Sequence, residues 1–287
     1  LTIASDNKLP FVKITKNSYQ SITPRIFIKY TTGKMQNARN QDKILDYSDV
    51  FAMNRTNDTD ALETGSSAGY GFNYTIDKNK VGSLNKLYST KFSLGQVIRK
   101  KREDALPTKS SLNNKTSDFV GDFDFSVFGR KIEKYQDDTD NKLTFLNNFN
   151  QNMLSINYKY NLNNNFSNTF RNNINFKGIY NGFSTTLVFD EKIKHIGNEK
   201  YGTLELGKLF SKNYYFKFKN KRNLMTDSTE YNRFSFNFEN DCIISSLTYS
   251  KDFYSDKDLK NTKTLIFGIT IKPFADSLGP DLTEFIN

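Results

Sequence analysis

The stretch DVFAMNRTNDTDALETGSSAGYGFNYTI, residues 49–76, decides the fold, because a charged turn and an amphipathic strand lie back to back in it. Residues 54–64 are polar and charged with no apolar period, which predicts a loop. From Ser66 onward the pattern alternates. Ala68, Tyr70, Phe72, Tyr74 and Ile76 fall on one face, and Ser67, Gly69, Gly71, Asn73 and Thr75 on the other. One face is aromatic and the other small and polar. A water-soluble sheet would need a core to cover the aromatic face, whereas an outer-membrane barrel turns it to lipid and lines its lumen with the small polar one.

The rest of the chain carries the same signature. It has 26 Phe and 16 Tyr but no Trp in 287 residues, yet its mean hydropathy is -0.66. The aromatics therefore stand singly in polar, Asn-rich sequence, a profile hostile to a conventional core and suited to one large β domain. No run approaches the roughly 18 to 20 apolar residues that a transmembrane helix needs. The most apolar short run is Leu265-Ile266-Phe267-Gly268-Ile269, so a helical membrane protein is excluded. Lys and Arg number 41 against 31 Asp and Glu, a balance of +10 that raises the question of nucleic acid. These cations are scattered, often at strand ends or in loops (Lys86, Lys100, Lys101, Lys131, Lys192, Lys194, Lys251). Such dispersal argues against nucleic acid and suits anionic lipid headgroups or phosphorylated glycolipid. The chain opens at Leu1 without Met or a charged-then-apolar leader, so an internal cut in a longer protein is expected.

In chain order, residues 1–23 are mostly polar around Leu9-Pro10-Phe11-Val12 and read as a loop or the end of a preceding barrel segment. Thr23-Pro24-Arg25 starts an alternator in which Ile26, Ile28 and Tyr30 oppose Phe27, Lys29 and Thr31, with Pro at the strand start. A long polar loop over 33–62 leads to the strand at 66–76. Residues 87–99 form the next strand, 100–117 a second long loop, and 118–128 a strand with Phe119, Phe123, Phe125 and Val127 opposite Asp122, Asp124 and Ser126. Carboxylates at alternate strand positions are costly unless that face is wet, which points to a lumen. Further strands are expected at 143–149 and 153–161. Asn181-Gly182 joins 171–180 to 183–190 in a hairpin, because a type I′ turn needs positive φ at both central positions. Hairpins at 201–210/214–222 and 232–239/242–253 follow, then a last strand at 263–274 and a tail over 275–287. The expectation is an all-β, antiparallel transmembrane β-barrel segment over 24–274, with about 12 or 13 strands joined by short turns and long polar loops.

The block Tyr47-Ser48-Asp49-Val50-Phe51-Ala52-Met53-Asn54-Arg55, followed by Asp60, Glu63, Gly65 and Tyr70-Gly71, resembles a signature of the LPS-assembly family, LptD. In that family a Leu-Phe-x-x-Asn-Arg segment leads to an Asp-x-x-Glu-x-Gly turn and a Tyr-Gly strand. Thr23-Pro24-Arg25, Gly95-Gln96 and Ser117-Asp118-Phe119-Val120-Gly121 are similar to further segments of the family in the same order, and Glu239-Asn240-Asp241-Cys242 resembles a turn that carries one or two cysteines there. The resemblance runs from about residue 23 to 274 and is most specific at 47–71. It implies the C-terminal part of a barrel of roughly 26 strands that delivers lipopolysaccharide to the outer leaflet of a Gram-negative outer membrane. It also implies an LptE-like plug lipoprotein inside the barrel, a periplasmic transport bridge reached through an N-terminal jellyroll, and no cofactor. Glycolipid would leave between the first and last strands. The seam strand would carry Leu265, Phe267, Ile269, Ile271 and Pro273, the last unable to donate a ladder bond. Ile243 follows Cys242, so the adjacent-cysteine form is absent and a disulfide must reach a segment outside this chain.

The residues suggest no enzyme. His195 stands in a Lys-rich turn without a nucleophile motif or a second His at metal spacing, and reads as a solvated loop residue. Asp137-Asp138-Thr139-Asp140 and the acidic stretch 252–258 lack the glycine-containing order of an EF-hand and read as solvated loops. Cys242 stays open between a core thiol, a chance loop residue and half of a long-range disulfide, the last favoured by the resemblance. The 54–65 loop is either a plain hairpin cap or an ordered lid, which a bond from Arg55 to Asp60 or Glu63 would fix. A porin-like solute channel and a soluble β-sandwich share the alternation and remain the competing readings.

Overall fold

The computed structural model describes residues 1–56, 62–80, 85–131, 149, 151–253 and 261–272. It is all-β, one antiparallel sheet consistent with part of a β-barrel, and among the described residues no helix is long and apolar enough to cross a membrane. Its strands are β1 (Thr2–Lys8), β2 (Phe11–Thr15), β3 (Ser18–Thr31), β4 (Gly65–Asn79), β5 (Lys86–Arg99), β6 (Phe119–Lys131), β7 (Gln151–Leu162), β8 (Thr169–Tyr180), β9 (Phe183–Lys192), β10 (Glu199–Leu209), β11 (Tyr214–Asn223), β12 (Ser228–Glu239), β13 (Ile243–Asp252) and β14 (Lys263–Ile271). From β3 onward each strand pairs with its sequence neighbour, and β1 and β2 share the free side of β3.

The described strands number 14, more than expected, because β1 and β2 form in the stretch read as polar. Asp6, Asn7 and Lys8 are weak strand formers. They are held there by pairing with β3 from Lys8↔Arg25 to Thr2↔Thr31, and by the Arg25 guanidinium, which grips Asp6 at 2.7 and 2.8 Å. Of the strand expected at 143–149 only Phe149 is described, as a turn residue. The last strand is observed to Ile271, and Pro273 lies outside the described residues.

Chain contacts divide the molecule into two units. The first comprises Leu1–Val127, Ile156–Ile174 and Asp190–Lys200. Its sheet is inverted relative to a water-soluble one: Ile28 is 53 % exposed while its neighbour Lys29 is 1 % exposed, and Ile26 and Tyr30 are exposed beside buried Phe27 and Thr31. Such an arrangement is compatible with an apolar face turned to lipid. The long loops, read as polar throughout, hold the apolar core. Leu45, Val50, Phe51, Leu106 and Leu112 pack on Phe27, Val97 and Val120 of the polar face. Gly69 admits the first loop, since a Cβ there would stand 2.1 Å from the Val50 carbonyl oxygen.

The second unit comprises Phe128–Ser155, Asn175–Phe189 and Tyr201–Asn287. Phe149, Ile179 and Leu209 form a small core with Met153 and Tyr215. On β11 and β12 the aromatic face is laced by ring contacts, Phe218 to Phe234 at 4.8 Å and Tyr214 to Phe238 at 5.0 Å, while Ser235, Asn237 and Glu239 are buried on the other face. The Asn181-Gly182 turn has φ of 45° and 77°, as a type I′ hairpin requires.

Candidate functional site

The signature loop is built around one carboxylate. Asp46 and Asp49 shape its start: the Asp46 N–H donates to Asp49 Oδ2 at 2.8 Å and the Asp49 N–H to the Asp46 carbonyl at 3.0 Å, closing the 3-10 turn Tyr47–Phe51. Asn54 then spans the loop's two limbs, its Oδ1 accepting from the Thr56 N–H at 3.4 Å and the Glu63 N–H at 3.2 Å. Gly65 ends the loop at φ 84°, a left-handed conformation that a side chain would strain, and hands the chain to β4.

Three cations converge on Glu63. Arg55 Nη1 donates to Oε1 at 2.8 Å, Lys29 Nζ donates to Oε2 at 2.7 Å, and Arg99 forms an ion pair through Nη2. Arg55 also donates to Ser67 Oγ at 3.1 Å, to the Val50 carbonyl at 2.9 Å and to the Asp49 carbonyl at 3.2 Å. Lys29 Nζ reaches the Met53 carbonyl at 2.6 Å. Arg55 and Glu63 are fully buried, and burial pushes the Arg55 guanidinium down to about 10, which leaves it charged at neutral pH. The cluster thereby rivets the loop to β3, β4 and β5 at once. Of the residues singled out in the sequence, Asn54, Arg55, Glu63 and Gly65 come together, and Asp60 lies outside the described residues. Lys29 and Arg99 escaped sequence reasoning because each looked like one more polar residue on an alternating strand. The usable signal was their position, two residues from the strand ends or closer, on the polar face beside the signature.

A second set of contacts holds the same loop and its neighbour farther along the chain. Asp46 accepts from Arg171 Nη1 at 2.6 Å and Lys159 Nζ at 3.4 Å. Burial raises the Asp46 carboxyl, but those two cations outweigh it and hold the group below the ordinary carboxylate range. Asn161 Nδ2 donates to Ser110 Oγ at 3.0 Å, and Ser110 Oγ accepts from the Leu45 N–H at 2.9 Å. His195, expected to be solvated, instead lies 2.6 Å from Asp118 Oδ2 and 3.3 Å from Ser111 Oγ, with its ring against Phe170. Its turn is short, so the ring falls back on the loop that ends in Asp118. The acidic stretches read as solvated loops lie outside the described residues except Asp252 and Phe253; Asp252 accepts from Ser250 Oγ at 3.3 Å and Thr262 Oγ1 at 3.2 Å.

At the other end of the strand order, Leu265, Phe267, Ile269 and Ile271 are all exposed on β14, which pairs with β13 from Lys251↔Lys263 to Ile243↔Ile271. Lys272 Nζ meets buried Glu239 at 2.7 Å, tying the end of β14 to β12. Cys242 is exposed in the β12–β13 turn, and because it is the sequence's one cysteine no disulfide forms within this chain.

Residues 1–131 match the family model of LptD, LPS transport system D. No curated protein matches the chain.

Proposed function

From the LptD family domain carried by residues 1–131, we propose that this chain is part of an outer-membrane β-barrel that translocates lipopolysaccharide from the periplasm to the outer leaflet. The observation that carries the reading, beyond the family match, is the inverted sheet, with Ile26, Ile28 and Tyr30 exposed and Lys29 buried, which suits lipid outside and polar headgroup inside. The chemistry is transport without bond making. The 54–65 loop, held at its described ends by the Arg55–Glu63 bond, acts as an ordered lid on the polar face rather than a plain hairpin cap. An LptE-like plug lipoprotein and a periplasmic bridge joined through an N-terminal domain complete the machine.

Lipid must leave sideways, and parting two strands exposes backbone groups that lipid cannot satisfy. The seam therefore belongs where pairing is weakest. We assign it to β14 with Leu265, Phe267, Ile269, Ile271 and the following Pro273, which has no N–H to donate. Cross-linking β14 to the first strand of the complete protein is expected to stop export, and continued export would remove the seam from β14. Cys242 is proposed to pair with a cysteine outside this chain, which a mobility shift on reduction of the complete protein would reveal. The function itself is tested by depleting the complete protein in its source cell and following newly made lipopolysaccharide. Loss of surface delivery with normal small-solute uptake supports transport; unchanged delivery with reduced solute uptake identifies a porin-like channel.

A further inference from the structure

We propose that Lys217, Lys219, Lys221 and Arg233, on the polar face of β11 and β12, form a binding track for the phosphate groups of a phosphorylated saccharide headgroup, an inference that rests on the lipopolysaccharide reading above. The three lysines alternate along β11, so they share one face at about 6.6 Å intervals while Phe216 and Phe218 take the other. The ladders place Glu205 opposite Lys219 on β10 and Arg233 opposite Lys219 on β12. Glu205 divides its carboxylate between Lys217 at 3.3 Å and Lys219 at 3.7 Å. Lys221 sits instead over the Tyr201 ring at 4.2 Å, and the Arg233 guanidinium lies 5.3 Å from the Tyr231 ring centroid. Among the described residues no carboxylate forms an ion pair with either. Asp252, on β13 opposite Tyr231, is engaged by Ser250 and Thr262.

Glu205 thus pairs with two of the four half-buried cations, and among the described residues no carboxylate pairs with the other two. Like charges opposite one another destabilise a sheet, and the strand has no structural need of them. Equivalent positions on β12 and β13 carry Ser235, Asn237, Thr248 and Ser250. In the first unit, by contrast, four polar-face cations have carboxylates: Lys29 and Arg99 have Glu63, and Lys159 and Arg171 have Asp46. An anion bearing several phosphates removes the repulsion. The row from Lys217 to Lys221 spans about 13 Å, enough for two separate phosphates, and ammonium groups bind phosphate as movable point charges.

The test uses the complete protein in detergent micelles with a fluorescent phosphorylated glycolipid, and with the same glycolipid after phosphatase treatment. The variant carries Lys217→Gln, Lys219→Gln, Lys221→Gln and Arg233→Gln, and unchanged heat-modifiable gel mobility establishes that it is folded. The variant is expected to bind the phosphorylated form about tenfold more weakly or worse, with a flatter salt dependence, and the dephosphorylated form as the unmodified protein does. A charge-keeping set (Lys217→Arg, Lys219→Arg, Lys221→Arg, Arg233→Lys) should retain the affinity. Equal affinity of the unmodified protein and the Gln variant overturns the track. Displacement by inorganic phosphate at the glycolipid's own concentration also overturns it, since the site would then be one for free phosphate. Surface delivery in depleted cells separates the two claims. If the unmodified gene restores delivery while the Gln variant binds normally, the track falls and the transport reading stands. If the unmodified gene restores nothing, the transport reading falls.

Discussion

Glu63 is the residue on which the loop depends, because it is the carboxylate shared by three buried cations. Removing one partner of a buried ion pair leaves uncompensated charge in a low-dielectric site, at a cost of about 3–5 kcal/mol. Glu63→Gln is therefore expected to free the loop, seen as protease nicking within 32–64 at concentrations that leave the unmodified protein intact. Arg55→Lys keeps the charge but not the planar fork that reaches Glu63, Ser67 and the Val50 and Asp49 carbonyls. It should cost about 1.5–3 kcal/mol, measured as a lower urea midpoint in micelles. Asp46 adds a pH dependence whose sign follows from its lowered pKa. Its ionised form is stabilised by Arg171 and Lys159, so the contribution is complete above the unfolded carboxyl value near about 3.9 and is lost as pH falls through the lower folded value. Acid titration of loop nicking should show this loss, and Asp46→Asn should abolish it.

At the scale of the element, β4 succeeds because it serves two surroundings. Tyr70 points to the apolar side, while Gly69 makes room for the turn at Val50. Gly69→Val is expected to push the turn at Tyr47–Phe51 off the sheet and break the Glu63 cluster without harming β4 itself, since Val favours strands. Hydrogen exchange should then rise in residues 45–56 and stay unchanged in β4. The Asn181-Gly182 hairpin is a contrasting case in which local chemistry is enough: both central residues have positive φ and the flanking strands pair without help from a loop. Gly182→Val there should cost about 1–3 kcal/mol through backbone strain, read as a lower unfolding midpoint. β1 and β2 behave oppositely, being strands by virtue of the β3 edge on which they lie.

Across the whole molecule, the consequence of the inverted sheet is solvent choice. With Leu265, Phe267, Ile269 and Ile271 exposed on β14 and Phe234 and Phe236 exposed on β12, the complete protein is expected to refold in detergent or lipid and to aggregate in buffer alone. Refolding yield with and without micelles checks this, and a soluble monomer in buffer would favour a sandwich whose aromatic faces pack inward.

The alternation at 66–76, 118–128 and 263–274, the last described as a strand to Ile271, determined the strands, their faces and the β-barrel class, because side-chain period in a strand is a local property that neighbours cannot change. The same holds for the Asn181-Gly182 turn and for Arg55 and Glu63 as candidates for one cluster. Tertiary structure alone decided that Lys29 and Arg99 join them, that apolar loop residues such as Leu45 and Leu106 build the core of the first unit, and that His195 meets Asp118. It also made strands of β1 and β2. Apart from β2, which pairs with β3 across the tight turn at Lys16-Asn17, each of these depends on a partner far along the chain, and long-range pairing leaves no period in the segment that takes part in it.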